Sequence, residues 1–519
     1  MKSASLAAFA LRNMRVLNGT HKPSLEELFR GFPMLNLLGS LRHEISEVVY
    51  DSRKAVKDCL FVAVPGLRHD GAGFVKGAVE KGARAFVASV PFHQIPGLSL
   101  GSDNLTAIYV ENCRKALAWI SRQFYGNPSR DLSVVGITGT NGKTTTTFIL
   151  EKIFETLGQE TGVIGSINYR YGGREYPAHM TTPEAPEINR MMGEMTRAGT
   201  QHCFLEVSSH SLSLDRVFGL NFAVAVFTNL SRDHLDFHGT MENYKNAKKR
   251  FFREFSVGKR VINVDDPVGR EIIGEFPATT LTVGIDTPAD VKAENCVLSS
   301  HGGRFTLKTP FGSAAIRSHL LGKHNVYNQL FAAAAALIQG APLEGVAKGL
   351  ESVERIPGRF EQVRCGQNFS VAVDYAHTDD ALRNAINAAR TFTHRRVIVV
   401  FGCGGDRDRG KRKEMGRAAL ELADFSVITS DNPRSEDPMR IIADICEGLP
   451  QGAQPGERYA VVPDRKEAIE FAVNLAREGD LALIAGKGHE DYQIFRDKTV
   501  HFDDREAAAE ALRNRIKRD

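Results

Sequence analysis

The chain has 519 residues, enough for two to four domains with sizeable cores. Hydrophobic residues make up 42% and charged residues 25%, ordinary values for a globular protein, and a net charge of +4 gives no case for a nucleic-acid binder. No apolar run is long enough to span a bilayer, which excludes a helical membrane protein as the working class.

Residues 1–21 read as an N-terminal extension. Their brief apolar stretch is broken by Arg12 and Arg15 and lacks a clear cleavage site. Residues 22–128 read as a small α/β domain. Ser24 and Glu27 have the spacing of a capping box, Leu60 to Val64 is a buried strand, and Phe74 to Lys81 a helix. Ala85 to Ala88 is a further strand. The helix Cys113 to Phe124 runs into Gly126-Asn127-Pro128-Ser129, a linker signal.

Residues 129–356 read as a central nucleotide-binding domain. Ser133 to Thr138 is β-rich, Gly139-Thr140-Asn141-Gly142-Lys143-Thr144 turns the chain, and Ile149, Leu150, Ile153, Phe154 and Leu157 recur at helical spacing. Strand, glycine turn, Lys-Thr and helix make a phosphate-binding layout. Backbone N–H groups close on phosphate oxygens, Lys143 reaches the terminal phosphates, and the Thr144 hydroxyl ligates Mg2+, with Thr145 next in line. The strict P-loop pattern wants a glycine where Ile137 stands, so the match is to the second half of the pattern and its setting. Strand-like runs follow at 162–164, 203–207, 222–228 and 260–264, separated by helical runs, which predicts a mostly parallel sheet. Residues 278–309 read as added β structure and Asn325 to Gln339 as a helix.

Glu206 closes the apolar strand 203–207, where a carboxylate can hold Mg2+, and Ser208-Ser209-His210 behind it makes the spot a polar pocket. A dense polar run, Asn229 to Gly239, follows the next strand. Within it His234 is a candidate ligand for a second divalent ion. Lys248, in the basic helix Tyr244 to Arg250, reads on its own as part of a solvated face.

Residues 357–519 read as a Rossmann-like α/β domain with strands at 370–374, 396–401, 425–429 and 481–485. Polar loops follow three of them: Gly404 to Arg412, Asp431-Asn432-Pro433-Arg434, and Gly486-Lys487-Gly488-His489-Glu490. Converging on one crevice, their guanidinium and carboxylate groups suit a zwitterion such as an amino acid. The seven cysteines are odd in number, far apart and without C-x-x-C, which argues against a disulfide framework or zinc site and suits a reducing cytosol.

Gly139 to Thr144, Glu206-Val-Ser-Ser-His210, Thr228 to Asp236, Gly322-Lys-His-Asn325, Ile356 to Glu361 and Asp374-Tyr-Ala-His377 resemble, in order, the motifs of the Mur ligase family. The resemblance runs from about Ile45 to the C-terminus. Asp431 to Arg434 resembles the form found in members that add meso-2,6-diaminopimelate to a UDP-N-acetylmuramoyl dipeptide; lysine-adding members differ there. The resemblance implies an N-terminal domain for the UDP end, a central ATPase with ATP and Mg2+, and a C-terminal domain for the amino acid. It implies a cytoplasmic monomer in peptidoglycan precursor synthesis, working on small molecules and on neither nucleic acid nor membrane.

It further implies contacts from Ser52 and the loop Leu67 to His69 to the uridine end, and from Thr181, Thr182, Ser208 and Arg216 to the muramoyl dipeptide. Asn325, Arg359 and Asp374 are implied to meet adenine, phosphate and ribose; Arg407, Asp431 to Arg434, Gly486 and Glu490 are implied to hold diaminopimelate. Lys143, His210 and Lys248 are implied to be catalytic. Lys248 matches a lysine carried in the family as an N6-carboxylated carbamate, an anion able to help hold Mg2+ alongside Thr144, Glu206 and His234. The implied chemistry is carboxylate activation by ATP to an acyl phosphate, followed by attack of the amine. The rivals are folylpolyglutamate synthetase, a lysine-adding ligase, and a P-loop regulator that uses nucleotide as a switch.

Overall fold

The computed structural model describes residues 22–66, 70–97, 104–299 and 302–517. The expected N-terminal extension and the loop Leu67 to His69 lie outside them. The chain divides into two compact units interleaved in sequence. One comprises Met1–Gly136, Gln159–Ala225 and Ala247–Gly258, and the other Ile137–Gly158, Val226–Asn246 and Lys259–Asp519.

In the first unit, the capping box is complete. The Ser24 hydroxyl accepts from the Glu27 N–H, and the Glu27 carboxylate accepts from the Ser24 N–H. Behind this short helix a five-stranded sheet runs in the order Asn36–Leu38, Thr106–Tyr109, Ala85–Ala88, Leu60–Val62, Val48–Val49. It is parallel except at its first strand. Both faces are covered, because alternate side chains point to opposite sides. Leu60, Val62 and Val87 pack with Cys113, Ala116, Leu117 and Ile120 of the helix Cys113–Phe124. Phe61, Ala63 and Phe86 pack with Val75 and Ala78.

The first unit also holds the parallel pair His202–Glu206 and Thr161–Ile164. Two antiparallel strands, Asn168–Tyr171 and Arg174–Pro177, extend this pair around Gly172-Gly173. The mostly parallel reading missed this hairpin, although a Gly-Gly pair between alternating residues is a hairpin signal.

In the second unit, Arg260, Val261, Ile262 and Asn263 pair in parallel with Thr280–Gly284, which pairs in parallel with Val291–Ser299. The strands Gly302–Thr309 and Gly312–Ser318 then add antiparallel edges, so the added β structure runs further than residue 309. The helices Lys143–Thr156, Lys323–Ile338 and Leu343–Glu351 pack on one another.

The same unit contains a six-stranded sheet in the order Glu361–Gln362, Ser370–Asp374, Leu481–Ala485, Val397–Phe401, Phe425–Ile428, Tyr459–Val461. All its pairings are parallel except the first. Val399, Phe401 and Leu483 face one helical layer and Val400, Val427 and Ile484 the other. A separate hairpin, Tyr492–Ile494 with Thr499–His501, lies beyond this sheet in sequence and was not anticipated. Among the described residues no helix is long and apolar enough to cross a membrane.

Candidate functional site

The phosphate-loop segment joins the strand Ser133–Thr138 to the helix Lys143–Thr156. Gly139 and Gly142 both have positive φ. A Cβ on Gly139 would overlap the Thr228 hydroxyl, and one on Gly142 the Asn328 amide, so the turn tolerates neither. The loop is fixed from outside by the polar run that follows the neighbouring strand. The Asn229 carbonyl accepts from the Thr140 N–H at 2.9 Å, the Asn229 side-chain oxygen from the Asn141 N–H at 3.0 Å, and the Asn141 carbonyl from the Thr228 hydroxyl at 2.6 Å. The Lys143 ammonium donates to the carbonyls of Gly139 and Thr140, both at 2.8 Å, so it sits over the loop that leads into its own helix.

Residues from the far end of the chain reach this loop. The Arg359 guanidinium donates to the Thr144 hydroxyl at 3.2 Å and lies 4.4 Å over the Tyr375 ring. Asn141 donates to Asp380 at 2.9 Å. Asn325 is buried, its amide donates to the Leu321 carbonyl, and its oxygen accepts from Asn328. Asp374 accepts from the N–H groups of Phe360 and Ala376 at 2.7 and 2.8 Å, and burial pushes its carboxyl above the usual range.

Beside the loop, His234 faces Asp233 at 3.1 Å and sits at positive φ ahead of a short helix. Asp233 was not singled out from the sequence, yet it gathers charge. His377 lies 3.9 Å and Lys411 4.0 Å from its carboxylate. Burial alone would raise this carboxyl, but His234, Lys411 and His377 hold it well below the usual range. His377 is pushed down by burial and by Lys411, and its Nδ1 donates to the Tyr375 carbonyl.

In the sheet Glu361–Val461, the three anticipated loops leave adjacent strands: Leu481–Ala485, Val397–Phe401 and Phe425–Ile428. They interlock. The Arg434 guanidinium donates to the Gly405 carbonyl at 2.9 Å, and the Gly405 N–H donates to the Asn432 carbonyl at 2.9 Å. The Asn432 amide donates to Glu490 at 2.9 Å. Asp431 lies against the Gly486 backbone, where an added Cβ would stand 2.6 Å from its carboxylate. The unanticipated hairpin caps this loop: Gln493 donates to the Asp431 carbonyl, and the Arg434 N–H donates to the Ile494 carbonyl. Arg434 has φ of 51°, Pro433 precedes it in the turn, and Arg407 is exposed nearby in sequence to the glycine pair.

The first unit carries its own polar cluster. Glu206 is buried and accepts from the Ser166 N–H at 2.8 Å and the Ser166 hydroxyl at 3.0 Å. Thr181 bonds Ser166, and Thr182 donates to the Glu206 carbonyl at 2.7 Å while accepting from the Ser208 N–H. Ser208 caps the short helix Ser209–Ser213, which places His210 in its first turn. Arg216 pairs with Glu184 at 2.8 Å and donates to the Thr182 carbonyl. Ser52 starts a short helical turn capped by Asp51, and its carbonyl accepts from Lys81.

Lys248 is 1% exposed, which rules out a solvated face. Tyr244, Ala247, Phe251 and Phe252 are buried with it on the helix Met241–Arg253. A lysine four residues after Tyr244 and three before Phe251 falls on the apolar stripe, a signal that its basic neighbours hid. Among the described residues no cluster of three or more His, Cys, Asp and Glu side chains is arranged to hold a metal. The Thr144 hydroxyl is a hard oxygen donor of the kind that Mg2+ takes when phosphates and water complete its shell.

Three family models match the chain. They are described as Mur ligase family, catalytic domain, over residues 44–125; Mur ligase middle domain, over residues 137–336; and Mur ligase, glutamate ligase domain, over residues 358–488. A relative from Clostridium tetani named UDP-N-acetylmuramoyl-L-alanyl-D-glutamate--2,6-diaminopimelate ligase is 43% identical, over 94% of this chain and 99% of its own. A relative of the same name from Solibacter usitatus is 46% identical, over 91% and 94%. A solved structure of a ligase of that name superposes with a TM-score of 0.67 at 33% identity, covering 95% of this chain and 99% of that one.

Proposed function

The chain belongs to the Mur ligase family, and on that premise we propose that it is an ATP-dependent ligase joining meso-2,6-diaminopimelate to UDP-N-acetylmuramoyl-L-alanyl-D-glutamate. The observation that carries this reading is the contact of Arg359 with Thr144. It ties the part of the chain bearing the amino-acid crevice to the phosphate loop, as a ligase must do to present a nucleophile to an activated acid. Relatives that bear the diaminopimelate name over nearly their whole length, together with Asp431 to Arg434, favour that amino acid over lysine.

In the first half-reaction a carboxylate oxygen of the dipeptide attacks the γ-phosphorus of ATP, and ADP leaves. In the second, an amine of diaminopimelate attacks the acyl carbon, phosphate leaves with the C–O bond electrons, and the nitrogen loses a proton. Activation is required because a carboxylate is a poor electrophile. Gly139 to Thr145 hold the triphosphate in this reading, with Lys143 neutralising charge as it develops. Arg359 meets phosphate, Asn325 adenine and Asp374 ribose. Ser52 meets the uridine end, and Thr181, Thr182, Ser208 and Arg216 the muramoyl dipeptide, with His210 beside them. Arg407, Asp431, Asn432, Pro433, Arg434, Gly486 and Glu490 hold the incoming amino acid.

Mg2+ supplies charge neutralisation on the phosphates. Thr144 and His234, both in the second unit, would be its candidate ligands. Approach of the amino-acid crevice to the phosphate loop keeps water from the acyl phosphate. ATP and a UDP-linked sugar are cytosolic metabolites, so the reaction belongs to cell-wall precursor synthesis in the cytoplasm.

Phosphate release tests the reading. With ATP, Mg2+ and the UDP-muramoyl dipeptide, diaminopimelate should stimulate release strongly and lysine at the same concentration weakly. Equal stimulation would point to a lysine-tolerant ligase, and no stimulation by either would return the nucleotide-switch reading.

A further inference from the structure

Lys487, in the loop after the strand Leu481–Ala485, has a wholly buried side chain. Its ammonium lies 3.2 Å from the Asn432 side-chain oxygen and 3.4 Å from Glu490, and 5.5 Å over the Tyr492 ring. The same Asn432 oxygen accepts from the Ile494 N–H at 2.9 Å. Two donors therefore fix which way the Asn432 amide points, and its N–H2 group is turned onto Glu490. The side chain of Asn432 is thus held in one orientation beside Glu490.

Two buried carboxylates side by side do not both stay ionised without a cation. Burial and the neighbouring Asp431 raise the Glu490 carboxyl, and Lys487 opposes them. Burial would raise Asp431 as well, but Lys487 and then Arg465 bring it below the usual range. Arg465 is itself matched, gripping Asp504 through two contacts of 2.7 Å with both side chains fully buried. The Arg434 guanidinium donates to the Gly405 carbonyl. The other groups facing the pair are the Tyr375 hydroxyl, 3.5 Å from Glu490, and Tyr492; His377 also bears on Asp431.

We propose that Lys487 is a positioning residue that keeps Asp431 and Glu490 anionic and locks Asn432 between them, so that the crevice takes an ammonium group next to the carboxylate bound by Arg434. The pocket then recognises the zwitterionic end of an amino acid by opposite charges at fixed spacing, with Lys487 as the internal counter-ion. This inference rests on reading the crevice as the diaminopimelate site.

The test is the pH dependence of KM for diaminopimelate in Lys487→Met, a change that keeps the buried volume and removes the charge. Without Lys487 both carboxyls shift upward, so they are protonated at mildly acidic pH and ionise again as pH rises. The ratio of variant to wild-type KM should be about a hundredfold at pH 6 and fall to under about tenfold at pH 8.5, each unit of carboxyl shift being worth up to tenfold. KM for ATP should stay within about twofold. A ratio that does not change with pH would overturn the proposal, because a merely structural role would not titrate. If Lys487→Met does not fold, Lys487→Met combined with Glu490→Gln removes cation and anion together and is compared with Glu490→Gln alone. Asp431 still titrates in that pair, so a pH-independent ratio again overturns the proposal. Wild-type protein that fails to use diaminopimelate at any pH would sink the functional reading instead.

Discussion

Replacing Lys143 with alanine is expected to lower kcat by about three orders of magnitude, the scale seen when a preorganised charge is removed from a transition state. The ammonium already sits over the Gly139 and Thr140 carbonyls, at the start of the helix Lys143–Thr156. Beyond those two bonds, the turn is tied independently by Thr228, Asn229 and Ser231. The variant should therefore fold, bind ADP and release almost no phosphate. Stopped-time phosphate assays and a melting curve measure the two halves separately. A variant that melts normally and keeps even a tenth of wild-type turnover would remove Lys143 from the chemistry.

The second large effect is expected at Arg434. Arg434→Ala should raise KM for diaminopimelate by about a hundredfold, since truncating one member of a buried charge pair typically costs about 2–5 kcal/mol. KM for ATP and for the UDP-muramoyl dipeptide should change by less than about threefold, because Arg434 bonds to Gly405 and Ile494 and not to the phosphate loop. Steady-state kinetics with each substrate varied in turn checks this. An unchanged KM for diaminopimelate would place the amino acid elsewhere.

The elements of the C-terminal sheet were legible because each strand is a short apolar run ended by a polar loop, and such loops converge at strand ends in a parallel sheet. That pattern brings Gly404 to Arg412, Asp431 to Arg434 and Gly486 to Glu490 to one end of the sheet. What the sequence hid were ties between distant residues. Asn432 and Glu490 are 58 positions apart and Arg465 and Asp504 are 39 apart, so neither pairing has a local signature. A lysine between two glycines, as Lys487 is, reads as solvated in sequence, whereas the side chain is buried. Asp233 has no signature of its own beside His234, whose residue type is the commoner ligand, although Lys411 and the imidazoles of His234 and His377 lie within 4.0 Å of the aspartate. Lys248 is the opposite case. Its burial was readable from Tyr244, Phe251 and Phe252, but three other basic residues in the same turn and a half masked the stripe.

In the proposed reaction ATP makes the dipeptide carboxylate reactive by forming an acyl phosphate. The most direct measurement of that step uses UDP-muramoyl dipeptide with 18O in the reacting carboxylate and mass analysis of the phosphate released. Each phosphate is expected to carry one oxygen from that carboxylate, since the bond broken by the amine is the acyl C–O bond. Released phosphate with no label from the dipeptide would contradict it.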